Sequence, residues 1–306
     1  MRACGVAGRG AGVELLELPE PPAPGPGQMV IGVEAAGVGP WDRLIAAGGW
    51  DVGLDPPAAL GVEGAGRVAR LGPGVEGFAV GDPVVAHEAP LPGGSGFWAE
   101  RVLVTAAHVA RVGDRPSGLD PVAAAALPVA GLTARQALDA LGLEPGQRLL
   151  ITGGAGGTGA LAVQLAARDG LVVTTTASAG AMRRLGELGA TTVVDYRVMD
   201  WAARVEGRFD GALVAAAGTS GDALGLVRDG GRLCSLTSDA RAGERGVISG
   251  NLYVRPDAHR LAELAAMVAR RTLTVFPEAV PLAEGPAAFA RVAAGRAGGR
   301  KLVLTL

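Results

Sequence analysis

The run Leu149-Leu150-Ile151-Thr152-Gly153-Gly154-Ala155-Gly156-Gly157-Thr158-Gly159 carries the strongest chemical signal in the chain. Gly154, Gly156 and Gly159 fit the spacing G-x-G-x-x-G. A chain with 50 glycines produces such spacings by chance, so the context decides: an apolar strand precedes the run and a helix follows at once. In that setting Gly154 permits a tight turn, Gly156 lets the backbone approach a pyrophosphate, and Gly159 lets helix and strand pack closely. Gly157 and Thr158 lie where free N–H groups and the positive end of the helix dipole meet phosphate. The competing reading is an empty glycine turn, which is disfavoured because so many glycines cost conformational entropy without return.

Roughly 20 residues further on, a site for NAD places Asp or Glu against the ribose hydroxyls. This chain has Thr176-Ala177-Ser178-Ala179-Gly180-Ala181-Met182-Arg183-Arg184, and its first carboxylate is Glu187, inside the next helix. A small hydroxyl at Ser178, the guanidinium of Arg183 beside that of Arg184, and the phenol of Tyr196 suit a 2′-phosphate. The expected cofactor is therefore NADPH. The plainer reading of Arg183 and Arg184 is a solvated helix face.

The elements around this turn divide the chain. Residues 13–18, 29–35, 66–71 and 83–86 read as short strands separated by Pro- and Gly-rich turns, a pattern of small barrels and sandwiches. From residue 121 the pattern changes. Helical composition at 121–126, 132–141, 159–168 and 182–188 alternates with apolar strands at 148–152, 171–176, 192–194, 212–215 and 232–236. Such alternation implies a doubly wound parallel sheet. A helix at 259–270 follows, with short strands near Thr274 and at 301–305 that rejoin the first domain.

Composition sets outer limits. The 306 residues are 49% hydrophobic and 19% charged, with net charge −2, which is globular and gives no general attraction to nucleic acid or acidic membranes. Mean hydropathy is +0.31, yet the most apolar stretch, 121–134, is broken by Pro128 and Gly131 and falls short of the ~20 residues of a membrane span. No signal peptide is read at the start, and Cys4 and Cys234 form no CxxC pair, so reducing cytoplasm is the expected compartment. Lys301 is the only lysine. Neither Tyr196 nor Tyr253 is followed four residues later by lysine, which excludes reductases built on a Tyr-x-x-x-Lys pair.

Several motifs in order resemble the medium-chain dehydrogenase/reductase superfamily, in its zinc-free quinone oxidoreductase (zeta-crystallin-like) branch. They are Ala36-Gly37-Val38-Gly39-Pro40-Trp41-Asp42, Gly61-Val62-Glu63-Gly64-Ala65-Gly66-Arg67-Val68, Gly81-Asp82-Pro83-Val84, Gly96-Phe97-Trp98-Ala99-Glu100 and Leu127-Pro128-Val129-Ala130-Gly131-Leu132-Thr133-Ala134. The resemblance implies an α/β protein: a GroES-like β-rich catalytic domain from residues 1–120 and 256–306, and a Rossmann doubly wound parallel-sheet domain at 121–255 that binds NADP. It implies that Thr133 approaches the nicotinamide. It also implies a homodimer joined through Rossmann edge strands that would include residues 232–236 and 247–249.

Zinc alcohol dehydrogenases carry a cysteine where this chain has Gly39 and a histidine where it has Val62. Glu63 alone cannot hold zinc, which wants about four ligands, and His87, His108 and His259 are not at ligand spacing, so no metal is expected. Without a Lewis acid, reduction of an already activated acceptor fits better than alcohol oxidation. Relatives with asparagine at the position of Gly39 and tyrosines near Trp50 and Trp98 have groups that this chain lacks. No acid or base is therefore assigned, and protonation is expected from water. Trp41, Trp50 and Trp98 are candidate walls of a flat pocket for a planar conjugated substrate, ordinary packing being the alternative. The expected activity is hydride transfer from NADPH to a quinone or α,β-unsaturated carbonyl. Alternatives are an enoyl-thioester reductase of a biosynthetic pathway and a non-catalytic NADPH-binding sensor or structural protein.

Overall fold

The computed structural model describes residues 1–113 and 119–306. It separates into two compact units, Met1–Val129 with Arg255–Leu306, and Ala130–Val254. The first boundary falls nearer the glycine turn than residue 120, where the sequence pattern breaks. The reason is the helix Pro121–Ala125, which packs on strands of the first unit. Its start is strongly marked: the Asp120 carboxylate accepts the N–H groups of Val122 and Ala123, and Pro121 needs no N–H partner there.

The first unit is built around the long strand Gln28–Gly37. On one side it pairs antiparallel with Glu63–Leu71, which continues through Pro83–His87 to Val109–Arg111. Its other neighbours are the C-terminal strand Lys301–Thr305 near Gly37 and Arg101–Thr105 near Gln28. Val30, Ile31, Ala35 and Ala36 are wholly buried, as are Val84 and Leu302–Leu304, so the apolar faces of these strands make the core that drives the unit together. A smaller sheet joins Val13–Glu17, Arg2–Val6 and Ala58–Ala59.

The helix Ala258–Ala269 buries Leu261, Leu264, Ala265 and Val268, one face of a 3.6-residue period. The strand expected near Thr274 lies instead at Pro277–Pro281. The preceding residues are used to close this helix: Arg271 turns left-handed at φ 57°, and the N–H groups of Thr272 and Leu273 return to the Met267 carbonyl.

In the second unit the sheet is parallel throughout. Its spatial order is Thr192–Asp195, Val172–Ala177, Arg148–Thr152, Phe209–Val214, Val227–Ser235, Ile248–Asn251. Numbered along the chain this is 3-2-1-4-5-6, the Rossmann order, with the direction of winding reversing between Arg148–Thr152 and Phe209–Val214. Leu149, Leu150 and Ile151 are buried on both faces, as strands covered by helices must be. Phe209 is fully buried in the same core, with the Arg148 guanidinium 5.0 Å from its ring centroid. Phe209→Ala should lower the unfolding free energy by about 3–5 kcal/mol in chemical denaturation. A loss below about 1 kcal/mol would mean that this core is not the source of the unit's stability.

Candidate cofactor turn and a buried charged centre

The glycine turn leaves the carboxyl end of Arg148–Thr152, beside the point where the winding reverses. Gly153 takes φ +74°, its N–H donates to Thr176 Oγ1 at 3.0 Å, and the Gly154 N–H donates to the Thr176 carbonyl at 3.0 Å. The glycines then fall into two pairs. A Cβ on Gly154 would lie 2.0 Å from Thr175 Oγ1, and one on Gly159 2.3 Å from the Gly153 carbonyl. These two are glycine so that the protein can pack on itself. A Cβ on Gly156 would be no nearer than 3.4 Å to any atom, and one on Gly157 would meet nothing within 4 Å. The helix Gly157–Arg168 has no side-chain cap on its first turn. An open backbone face ahead of an uncapped helix start fits a pyrophosphate.

The selectivity residues gather less completely. Ala177 and Asp195 are register partners on neighbouring strands, so Ser178 and Tyr196 follow the carboxyl ends of the two strands side by side. Tyr196 is 51% exposed. Arg183 points to solvent with 91% of its side chain exposed and lies 3.6 Å from Glu187, which is the solvated helix face. The arginine that reaches the glycine turn is Arg184, whose Nη2 donates to the Ala155 carbonyl at 3.1 Å. One helical position is a rotation of about 100°, and spacing alone did not choose between the two. Thr133 lies in the helix Pro128–Leu141, half-buried.

The three tryptophans do not share one surface. Trp50 lines a cavity of about 250 Å³ with Ile45, Val52, Leu54 and Arg9. Trp41 precedes the short helix Asp42–Ala46, whose end reaches the same cavity. Trp98 corrects the sequence reading. It is fully buried, its Nε1 donates to the Gly37 carbonyl at 3.0 Å, and its ring meets Phe289 edge-on with centroids 6.2 Å apart. Its indole is a core brick whose N–H satisfies a strand end, so it does not wall a pocket.

A feature that motif reading missed lies between the strands of the first unit. Asp42, Glu63, His87 and Lys301 are all buried. Glu63 Oε2 accepts the Val129 N–H at 2.7 Å, and Glu63 Oε1 lies 2.5 Å from Lys301 Nζ, an ion pair whose angles do not make a hydrogen bond. Lys301 Nζ also sits 4.3 Å from the Trp41 ring centroid. Asp42 Oδ2 accepts the Gly39 N–H at 2.7 Å, while Oδ1 has no partner. His87 Nδ1 is 3.0 Å from the Val62 carbonyl, and Nε2 has no partner. One signal could have marked the centre in advance: the single lysine of a chain whose other long basic side chains are all arginine.

Burial dominates the titration of Asp42 and His87. It pushes Asp42 up from 3.8 to about 7, against the Gly39 N–H and Lys301, while Glu63 pushes the same way as burial. It lowers His87, against the Val62 carbonyl and Glu63 and helped by His108, so the imidazole is neutral at pH 7. His108 itself pairs with Glu88 at 3.0 Å, and His259 is a surface residue 3.8 Å from Glu263.

Between about pH 4 and pH 7 the folded chain keeps the Asp42 proton that the unfolded chain has released. Asp42 therefore destabilises the fold progressively across that window and by a constant amount above it. Asp42→Asn keeps an acceptor for the Gly39 N–H and removes the titration. In denaturation curves from pH 3 to pH 9, its stability relative to wild type should rise across this window, by up to about 4 kcal/mol at the top. Parallel curves would show that Asp42 ionises normally.

Comparison with known proteins gives a consistent frame. Residues 25–114 match the alcohol dehydrogenase GroES-like domain, and residues 188–304 match a domain described as zinc-binding dehydrogenase. A stretch of 241 residues is 38% identical to the pikromycin polyketide synthase component PikAII of Streptomyces venezuelae, covering 72% of this chain and 6% of that protein. A stretch of 230 residues is 32% identical to 2-methylene-furan-3-one reductase of Solanum lycopersicum, covering 73% of this chain and 58% of that one. The chain thus spans less than two thirds of the length of these relatives. The structure of the quinone oxidoreductase from Coxiella burnetii superposes with a TM-score of 0.89 at 27% identity, covering 100% of this chain and 99% of that one.

The second domain description implies zinc, and the residues present do not fit it. Gly39 and Val62 offer no ligand atoms, and Glu63 is committed to Lys301 and the Val129 N–H. Among the described residues, no group of three or more His, Cys, Asp or Glu side chains could hold a metal ion. What remains is a GroES-like domain and a Rossmann-type sheet in one chain, matched in order by both domain models and along its whole length by a quinone oxidoreductase: the chain belongs to the medium-chain dehydrogenase/reductase superfamily.

Proposed function

We propose that the chain is a metal-independent, NADPH-dependent reductase that delivers hydride to a quinone or an α,β-unsaturated carbonyl. The observation that carries this reading is the uncapped glycine turn, with no carboxylate at the end of the neighbouring strand and an arginine anchored on the turn itself. In this reading the Rossmann-type unit holds the cofactor and the GroES-like unit carries the acceptor contacts. The N–H groups of Gly157 and Thr158, with the close approach allowed at Gly156, hold the pyrophosphate. Ser178, Arg184 and Tyr196 receive the 2′-phosphate, with Arg183 contributing only field at a distance, and Thr133 lies toward the nicotinamide. NADPH, when bound, supplies a hydride.

The acceptor class follows from what the centre lacks. With no ligand set for zinc, no Lewis acid is available to stabilise an alkoxide. A quinone or enone is activated by its own conjugation, and positioning with exclusion of water is the protein's main contribution. Trp41 and Trp50 offer flat apolar faces to such an acceptor, and water returns the proton. A second reading, reduction of an enoyl thioester, is favoured by the similarity to polyketide synthase components. A second copy of the chain would cover the outer strand Ile248–Asn251, where Ile248 is 66% exposed, and Tyr253 just beyond it, which is 70% exposed.

Acceptor-dependent NADPH oxidation, followed at the nicotinamide absorbance, tests the reading against quinones, unsaturated ketones and an enoyl thioester, with NADH and a chelator as controls. Turnover that prefers NADPH, resists the chelator and favours quinones or ketones is expected. Turnover of the thioester alone would select the second reading. Binding of NADPH with no acceptor turned over would leave only a cofactor-binding protein. Arg184→Ala should raise the KM for NADPH about tenfold and change that for NADH little. Equal effects on both cofactors would remove Arg184 from the 2′-phosphate site.

A further inference from the structure

We propose that Trp41, Lys301 and Glu63 form a positioning stack, in which a buried ammonium fixes the plane of the Trp41 indole and so makes the acceptor site selective for planar substrates. The proposal rests on the reading of Trp41 as an acceptor contact.

Three observations determine how the indole is held. First, it packs against Gly39: a Cβ there would fall 2.2 Å from two ring atoms of Trp41. Any side chain there, a metal-ligating one included, would displace the ring, so this stack and a ligand at position 39 exclude one another. Second, the indole N–H is buried without an acceptor. The usual means of orienting a tryptophan, a hydrogen bond at Nε1, is absent, and leaving that donor unmade costs stability. Third, Lys301 Nζ stands 4.3 Å from the ring centroid, inside the roughly 6 Å range of cation–π attraction, which is strongest on Trp and grows when the pair is desolvated.

The cation is itself held in place. Lys301 opens the C-terminal strand, which next pairs at Leu302, whose carbonyl accepts the Val38 N–H. Its ammonium meets Glu63 at 2.5 Å, and Glu63 is anchored through its other oxygen by the Val129 N–H. A compact point charge on a narrow stem suits a space between an indole face and a carboxylate, where a planar guanidinium fork needs more room. That accounts for a lysine here in a chain that otherwise uses arginine. Lys301 faces the indole and Glu63 holds Lys301, and both act on the acceptor through Trp41, so they are positioning residues.

The test removes both charges together. Lys301→Met alone strands a buried carboxylate and is expected to fold poorly. The double variant Glu63→Gln/Lys301→Met removes both members of the ion pair and keeps an acceptor for the Val129 N–H. The Trp41 component of the fluorescence is read as the difference between each protein and its Trp41→Phe counterpart. Loss of the ammonium should shift that component. In kinetics, the KM for a planar quinone should rise three- to tenfold, by about the strength of one cation–π contact. The KM for NADPH and that for a small aliphatic enone should stay within twofold. An unshifted Trp41 component overturns the stack. A shifted component with equal losses for planar and aliphatic acceptors also overturns the proposal, leaving a purely structural ion pair. If no acceptor turns over even in wild type, the functional reading fails while the emission comparison still decides whether the stack exists.

Discussion

The buried pair of Glu63 and Lys301 is the interaction on which the first unit turns. Each charge taken from water costs several kcal/mol, and both are buried, one at the start of the strand Glu63–Leu71 and one at the start of Lys301–Thr305. The two strands flank Gln28–Gly37 on opposite sides, so the pair bridges the central strand near Gly37. A Cβ on Gly37 would lie 2.6 Å from Glu63 Oε1, which leaves glycine as the residue that admits the carboxylate. The Val129 N–H then ties the end of the unit to the same group. Trp41 and Asp42 lie beside this charge pair, and Trp98 bonds the Gly37 carbonyl next to it.

The second unit works by a different economy. It carries no buried ion pair of this kind among the described residues, and its order comes from continuous apolar strands and the parallel topology. That topology delivers a helix start to the carboxyl end of the central strand, where backbone N–H groups do what charged side chains do elsewhere. Asp239 supports the adjoining loops: although burial pushes its pKa up, hydrogen bonds from Thr237, Ser235 and the Gly218 N–H together hold it below the ordinary value. The division of labour is physical. In the proposed function, one unit offers backbone dipoles to an anion, and the other offers aromatic faces to an uncharged acceptor.

Much of this was legible in the sequence where local patterns dictate structure. The strand at 148–152, the C-terminal strand at 301–305 and the alternation that gives the parallel sheet follow from apolar runs and turn residues. The glycine turn was legible because its roles are set by backbone geometry within a few residues. The buried centre was not, because Glu63 and Lys301 are more than two hundred positions apart and nothing local announces that a charge will be buried. Trp98 misled for a related reason: an indole at a family motif reads the same whether it faces a pocket or the core, and only its bond to Gly37 decides. Arg183 and Arg184 were separable only by helical phase. Glu88, His108 and Thr105 form another such non-local group.

The central claim, that the chain transfers hydride directly from a nicotinamide to an activated acceptor without a metal, is tested most directly by isotope. Reduction of an acceptor with NADPH carrying deuterium at C4, in ordinary water and after exhaustive chelation, is followed by mass analysis of the product. For an α,β-unsaturated ketone, the account predicts one deuterium on carbon from the cofactor and one hydrogen from solvent. Product with no deuterium from either face of the labelled cofactor, or activity lost on chelation and restored by a divalent metal, would contradict it.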